Sequence, residues 1–299
     1  MSAGFPIRIR TFTLPIAAVT LYYISMLLVN IIYIIIFGDS VDKHEGSMEI
    51  LTILVVYGFI FSLYVFERFF YGRGAPYERK KERSAILLNL YKDRLSVKKI
   101  LMVIPISFML MGLASLYMIL IAFLSEHVAL IRVAFNDYQT MVNSDDALVG
   151  YEKYLFYIAV VIFVPVAEEL IFRGVVMGEF KGTMKPWYAA IFSGVVFGVM
   201  HMQLIQVGYA MMCGILLGFV YYYSHSIYFS IAVHAVFNFF GGCLLDIVSS
   251  GLLSVALILI EIFMIPLGVA CMILLRRQCK TEEKVKQEVC HASTAGTST

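Results

Sequence analysis

The sequence predicts an all-α fold: a polytopic membrane protein of eight transmembrane helices with both termini in the cytoplasm. Three observations carry that prediction. Of 299 residues, 61% are hydrophobic and 15% charged, where a soluble domain has about 45–50% and about 25%. One aqueous core cannot hold that much apolar surface, so lipid must act as solvent. Eight runs approach the ~20 apolar residues that a spanning helix needs. Lys and Arg then alternate between loops in the pattern that sets orientation across a bilayer.

The runs cover roughly 14–37, 50–70, 100–123, 154–176, 187–202, 205–223, 227–245 and 252–275. The first follows Arg8 and Arg10 and extends about 24 residues, longer than a signal-peptide core, so it reads as an uncleaved span. Residues 72–99 hold Arg73, Arg79, Lys80, Lys81, Arg83, Lys92, Arg94, Lys98 and Lys99, and the stretch after Leu275 is also basic. Residues 38–49 and 124–153 are acidic, with Asp39, Asp42, Glu45, Glu49, Glu126, Asp137, Asp145 and Asp146. Every strongly charged loop therefore assigns the termini to the cytoplasm. The domains that follow are a cytoplasmic N-terminus over 1–13, a membrane-embedded helical domain over 14–275, and a basic, then disordered cytoplasmic tail over 276–299.

Net charge is only +2, which implies no nucleic-acid or other polyanionic partner; membrane lipid is the expected surrounding. The five cysteines show no C-x-x-C pair, which argues against a disulfide framework or a cysteine zinc site.

Ionisable groups inside a membrane are costly and point to function. The fourth run reads VIFVPVAEELIFRG over 161–174, the fifth carries Phe197 and His201, and the seventh carries Ser230, His234 and Asn238. Glu169 and Arg173 are four apart, so they share a helix face and pair. Glu168 is turned about 100° from Glu169 and lacks that partner. The spacing assigns Glu169 and Arg173 to structure and orientation, and Glu168 to chemistry. His234 and Asn238 form one stripe with Ser230 and Gly241/Gly242. Pro165 has no N–H, so it is expected to free the carbonyl of Val161 and kink the fourth helix. Gly194/Gly198 and Gly214/Gly218 are small-residue pairs that let helices approach closely. His225 reads as a solvated turn residue.

Amide hydrolysis needs a base for water, donors for the oxyanion and a proton for the leaving amine. A carboxylate without a partner supplies the base, and His234 with Asn238 supplies two donors one turn apart. A metal is the rival reading, with Glu168, His201 and His234 as its ligands. No His-Glu-x-x-His helix is present, and an Asn and a salt-bridged Glu are poor zinc ligands, so the residues favour chemistry without a cofactor.

The three spaced motifs, Glu168-Glu169-x-x-x-Arg173, Phe197-x-x-x-His201 and His234-x-x-x-Asn238, resemble the signature of the CAAX prenyl endopeptidase and bacteriocin-processing family, CPBP or Abi. The resemblance covers about residues 154–245. It implies an eight-helix intramembrane glutamate endopeptidase with its site open toward the cytoplasm. It further implies that Glu168 and His201 activate water while His234 and Asn238 stabilise the oxyanion. The implied partner is a peptide or protein substrate, with or without a lipid. Ile, Phe, Tyr and Met usage suggests a bacterial cytoplasmic membrane, where prenylated substrates are not expected and leader peptides, signalling pheromone precursors or bacteriocin-immunity partners are equally plausible. The alternative is a non-catalytic membrane scaffold or bacteriocin-immunity protein of the same fold. Depth is one test of the constellation. At 1.5 Å per residue, Glu168 lies about 21 Å from the outer end of its span and His234 about 10 Å from the inner end of its own. His201 is too deep to meet them unless its span begins in the cytoplasm near Pro186 or the helices tilt strongly.

Overall fold

The computed structural model describes residues 10–72, 96–144, 148–247 and 251–295. The basic segment at 73–95, Arg8, Asp145, Asp146 and the last four residues lie outside the described residues. Helix α1 is Arg10–Phe37, and a 3-10 segment at Gly38–His44 leads into α2, Glu45–Gly72. Then follow α3, Val97–His127, and α4, Ala129–Ser144. Helix α5 is the composite Tyr151–Lys181. Helices α6, Pro186–Val199, α7, Leu204–Ser224, α8, Ile227–Asn238, and α9, Gly251–Ala295, complete the order. No strand occurs among the described residues.

Among the described residues, five helical stretches are long and apolar enough to cross a membrane: Phe12–Ser62, Val97–His127, Tyr151–Lys181, Leu204–Ser224 and Gly251–Thr281. Two shorter apolar helices are Pro186–Val199 and Ile227–Cys243. The chain is an integral membrane protein. The first stretch holds 51 residues, which at 1.5 Å each is about 77 Å of helix, more than twice the ~30 Å of a hydrocarbon core. It turns at Gly38, whose φ of +55° suits glycine, and α1 packs back on α2.

Two expectations about the connecting segments change. Residues 129–144, expected within an acidic loop, form α4, whose exposed Leu130, Val133 and Met141 alternate with polar residues at helical spacing. The tail, expected to be basic and then disordered over its last ten residues, continues α9 as helix to Ala295.

Helix starts follow local chemistry. Ser96, Gln203 and Ser226 cap α3, α7 and α8 by accepting the N–H groups of Lys99, Gln206 and Phe229. Pro186 opens α6 where its missing N–H costs nothing. The buried Glu152 carboxylate accepts from the Ser47 N–H at 2.7 Å and from its hydroxyl at 3.0 Å, which ties the start of α2 to the start of α5.

In lipid, helix association rests on close packing and hydrogen bonds rather than on escape from water. The glycine pairs act this way. A Cβ on Gly194 would run into the Ile215 backbone, and one on Gly198 into Met211, so α6 and α7 touch backbone to backbone. One buried cluster joins α1, α2, α5 and α6 through Ala18, Ile53, Phe172 and Phe197. A second joins α3, α7, α8 and α9 through Leu110, Leu217, Phe229 and Leu275.

Candidate active site

Helix α5 is not uniform. A π turn at Ala159–Phe163 precedes the short α-helical segment Val164–Glu169, and a second π turn at Leu170–Val176 follows it. Such widened turns occur often at functional sites. Here they bracket Glu168 and Glu169. The first turn changes the expected effect of Pro165. Val164 N–H reaches back five residues to Ala159 O. An α register sets Pro165, which has no N–H, against the expected carbonyl of Val161, and the π register continued by one residue sets it against that of Val160. Asn238 takes it, donating Nδ2–H to Val160 O at 2.8 Å.

Glu169 is fully committed. It is buried at 0% exposure, and its Oε1 accepts from Arg173 Nη1 at 2.8 Å and faces His234 Nδ1 at 3.1 Å. Its Oε2 accepts from the Ser230 hydroxyl at 2.6 Å. The expected Glu169–Arg173 pair is thus present, and it has two further partners. Arg173, also at 0% exposure, sends Nη2 to Gly214 O at 2.9 Å and lies 5.1 Å from the Phe197 ring centre. Its Nε has no hydrogen-bond partner among the described residues.

Glu168 does not join that pair. Its side chain is 12% exposed, and its Oε2 stands 3.6 Å from His234 Nε2. His234 therefore has one nitrogen toward each glutamate. Its Nδ1 faces a carboxylate already held by Arg173, so in the neutral ring Nδ1 carries the proton.

His201 lies beyond its helix rather than in it. Helix α6 ends at Val199, earlier than the expected 202, and His201 occupies the turn that follows. The helix begins at Pro186. His201 Nδ1 lies 2.9 Å from Phe197 O. A carbonyl only accepts, so Nδ1 holds the proton of the neutral ring and Nε2 keeps a lone pair. Phe197 is the common neighbour. Its ring centre is 4.9 Å from that of His201 and 5.9 Å from that of His234.

The structure thus brings Glu168, Glu169, Arg173, Ser230 and His234 into direct contact, links Asn238 to them through α5, and joins His201 through Phe197. Zinc would need several donors converging on one point. The two nitrogens of His234 instead face two different carboxylates, one of them filled by Arg173 and Ser230. Among the described residues, no group of three or more His, Cys, Asp or Glu side chains is arranged to hold a metal ion.

Sequence reasoning overlooked several residues. Glu261, buried in α9, accepts from Ser115 of α3 at 2.7 Å; a lone acid in the last apolar run was its signal. Two tyrosines of the motif-free helices reach backbone beside the site. Tyr23 of α1 donates to Met200 O, and Tyr57 of α2 donates to Phe163 O at 2.7 Å. His225, expected to be solvated, is exposed, and its Nε2 is also 3.4 Å from Cys279 Sγ.

No curated protein and no solved structure matches the chain. Residues 151–240, which contain all of these motif residues, match the family described as Type II CAAX prenyl endopeptidase Rce1-like, in agreement with the resemblance that the three spaced motifs carry.

Proposed function

We propose that this chain is an intramembrane glutamate endopeptidase of the CAAX-protease type. Glu168, with His201, takes a proton from the attacking water. His234 and Asn238 donate to the oxyanion of the tetrahedral intermediate. Glu169 and Arg173 hold the site's shape. The reaction needs no metal. The substrate is a peptide or protein segment, with or without a lipid, cut near the cytoplasmic face. The proposal includes eight spans with both termini in the cytoplasm, a protease core over 154–245, a bacterial cytoplasmic membrane as the location, lipid as surrounding and no nucleic-acid partner.

One contrast carries the reading. Of two adjacent glutamates, Glu169 is saturated by Arg173, Ser230 and His234, while Glu168 keeps a partly open side chain and a single longer approach to His234. A carboxylate held in a membrane protein without a committed partner is available to a water molecule. His201 supports the pairing, because its Nδ1 is occupied and its Nε2 is left to accept. His234 serves the oxyanion when its Nε2 carries a proton, and the Nδ2 of Asn238 has a second N–H besides the one given to Val160.

The test uses purified full-length protein in lipid nanodiscs and a quenched fluorogenic peptide ending in farnesylated Cys, two aliphatic residues and Met, beside its unprenylated counterpart. Cleavage of either is expected, with only the first cut if the lipid is recognised. Glu168→Gln should lower the rate by about 10²–10⁴ without lowering folded yield, and chelator should leave the wild-type rate unchanged. Full activity in Glu168→Gln would refute the mechanism and favour a non-catalytic scaffold. Loss of activity with chelator and its return with zinc would replace it with a metal mechanism.

A further inference from the structure

The two N-terminal helices carry no motif and lie outside the matched segment 151–240, yet each puts a tyrosine hydroxyl on the backbone of a segment that carries or leads into a proposed catalytic residue. Tyr23 of α1 donates to the carbonyl of Met200, the residue before His201, across 177 positions of sequence. Tyr57 of α2 donates to the carbonyl of Phe163, the last residue of the π turn that precedes Glu168.

Both acceptors sit where the backbone needs outside support. The turn that carries His201 contains Met202 at φ +57°, a left-handed conformation in a non-glycine residue. Such residues persist when surrounding contacts over-determine them. Tyr23 provides one contact from α1, and Gln203 provides another by donating Nε2–H to Ala134 O of α4 at 3.4 Å. At the other site, the π turn has its carbonyls drawn to two donors from separate helices, Tyr57 at Phe163 and Asn238 at Val160. A donor from outside a helix that takes carbonyls from the backbone ladder stabilises a local widening.

We infer that Tyr23 and Tyr57 are positioning residues for the hydrolytic site, Tyr23 holding the His201 turn and Tyr57 holding the π turn that aims Glu168. This rests on the assignment of Glu168 and His201 as the pair that activates water. The N-terminal helices are then part of the active-site framework, and the matched segment needs them to place its own residues.

The experiment uses full-length protein in nanodiscs with its six histidines labelled at 13Cε1, together with the peptide assay above. Tyr23→Phe and Tyr57→Phe remove one oxygen each and keep the ring. Tyr23→Phe should shift the His201 signal. Tyr57→Phe should shift His234, which faces Glu168. The signals of His44, His127 and His225 should stay in place. Each variant should lose about 10- to 100-fold in kcat with KM within about twofold. Unmoved His201 and His234 signals with wild-type kcat would overturn the inference, as would a general fall in melting temperature that shifts all the histidines. An inactive Glu168→Gln beside unaffected tyrosine variants would remove only this inference. An active Glu168→Gln beside a selective His201 shift would remove the mechanism and leave the positioning in place.

Discussion

Asn238 of α8 donates to the carbonyl oxygen of Val160 in α5 at 2.8 Å, the oxygen that the π register, continued by one residue, sets against Pro165. Pro165 has no N–H to give it. In a low-dielectric surrounding an unsatisfied carbonyl is expensive, so the Asn amide holds α8 to α5 one turn from His234.

Asn238→Ala should therefore lower stability by about 1–3 kcal/mol, the usual cost of stranding a buried acceptor. In a Pro165→Ala background the new N–H can take Val160 O, and the stability loss should shrink. Activity should not follow. If Asn238 also serves the oxyanion, its removal costs about 10²–10³ in rate in both backgrounds. Thermal melts and kcat on the four proteins separate the two roles; a rate restored by Pro165→Ala would make Asn238 purely structural.

Glu169→Gln and Arg173→Met should each reduce folded yield, because each strands a buried charge. Breaking a buried pair costs about 3–5 kcal/mol, and the double variant should be less damaged than the sum. Ser230→Ala removes only one of Glu169's three partners and should cost less, about 1.5–3 kcal/mol for a hydrogen bond to a charged group. Additive losses for Glu169 and Arg173 in denaturation would contradict the contact at 2.8 Å.

Gly194→Ala should cost about 1–3 kcal/mol, since its Cβ would press on the Ile215 backbone, which cannot swing aside as a side chain can. Gly242→Ala meets nothing within 4 Å and should be neutral or raise stability by up to about 1 kcal/mol through lower chain entropy. Melting temperatures of the two variants in one detergent make the comparison, and equal values would mean α6 and α7 are not in backbone contact.

The sequence by itself determined the class of solvent, the approximate helices and the membership of the polar cluster. Composition decides whether lipid is needed, and apolar run length decides where a helix can cross. Pairing within one helix was also legible, because 3.6 residues per turn puts Glu169 beside Arg173 whatever surrounds them. Tertiary structure decided what depends on how separate helices are rotated and in which register they meet. His234 facing both glutamates, Asn238 on Val160, Tyr23 at Met200 and Tyr57 at Phe163 are all contacts between elements far apart in sequence. A π turn adds one residue to a helical turn and so rotates everything after it. No periodicity in the apolar sequence from Ala159 to Phe163 announces that shift. The same limit applied to α4, whose mixed composition resembles a loop until Ala134 and Tyr138 are seen packed toward Gln203 and Tyr209.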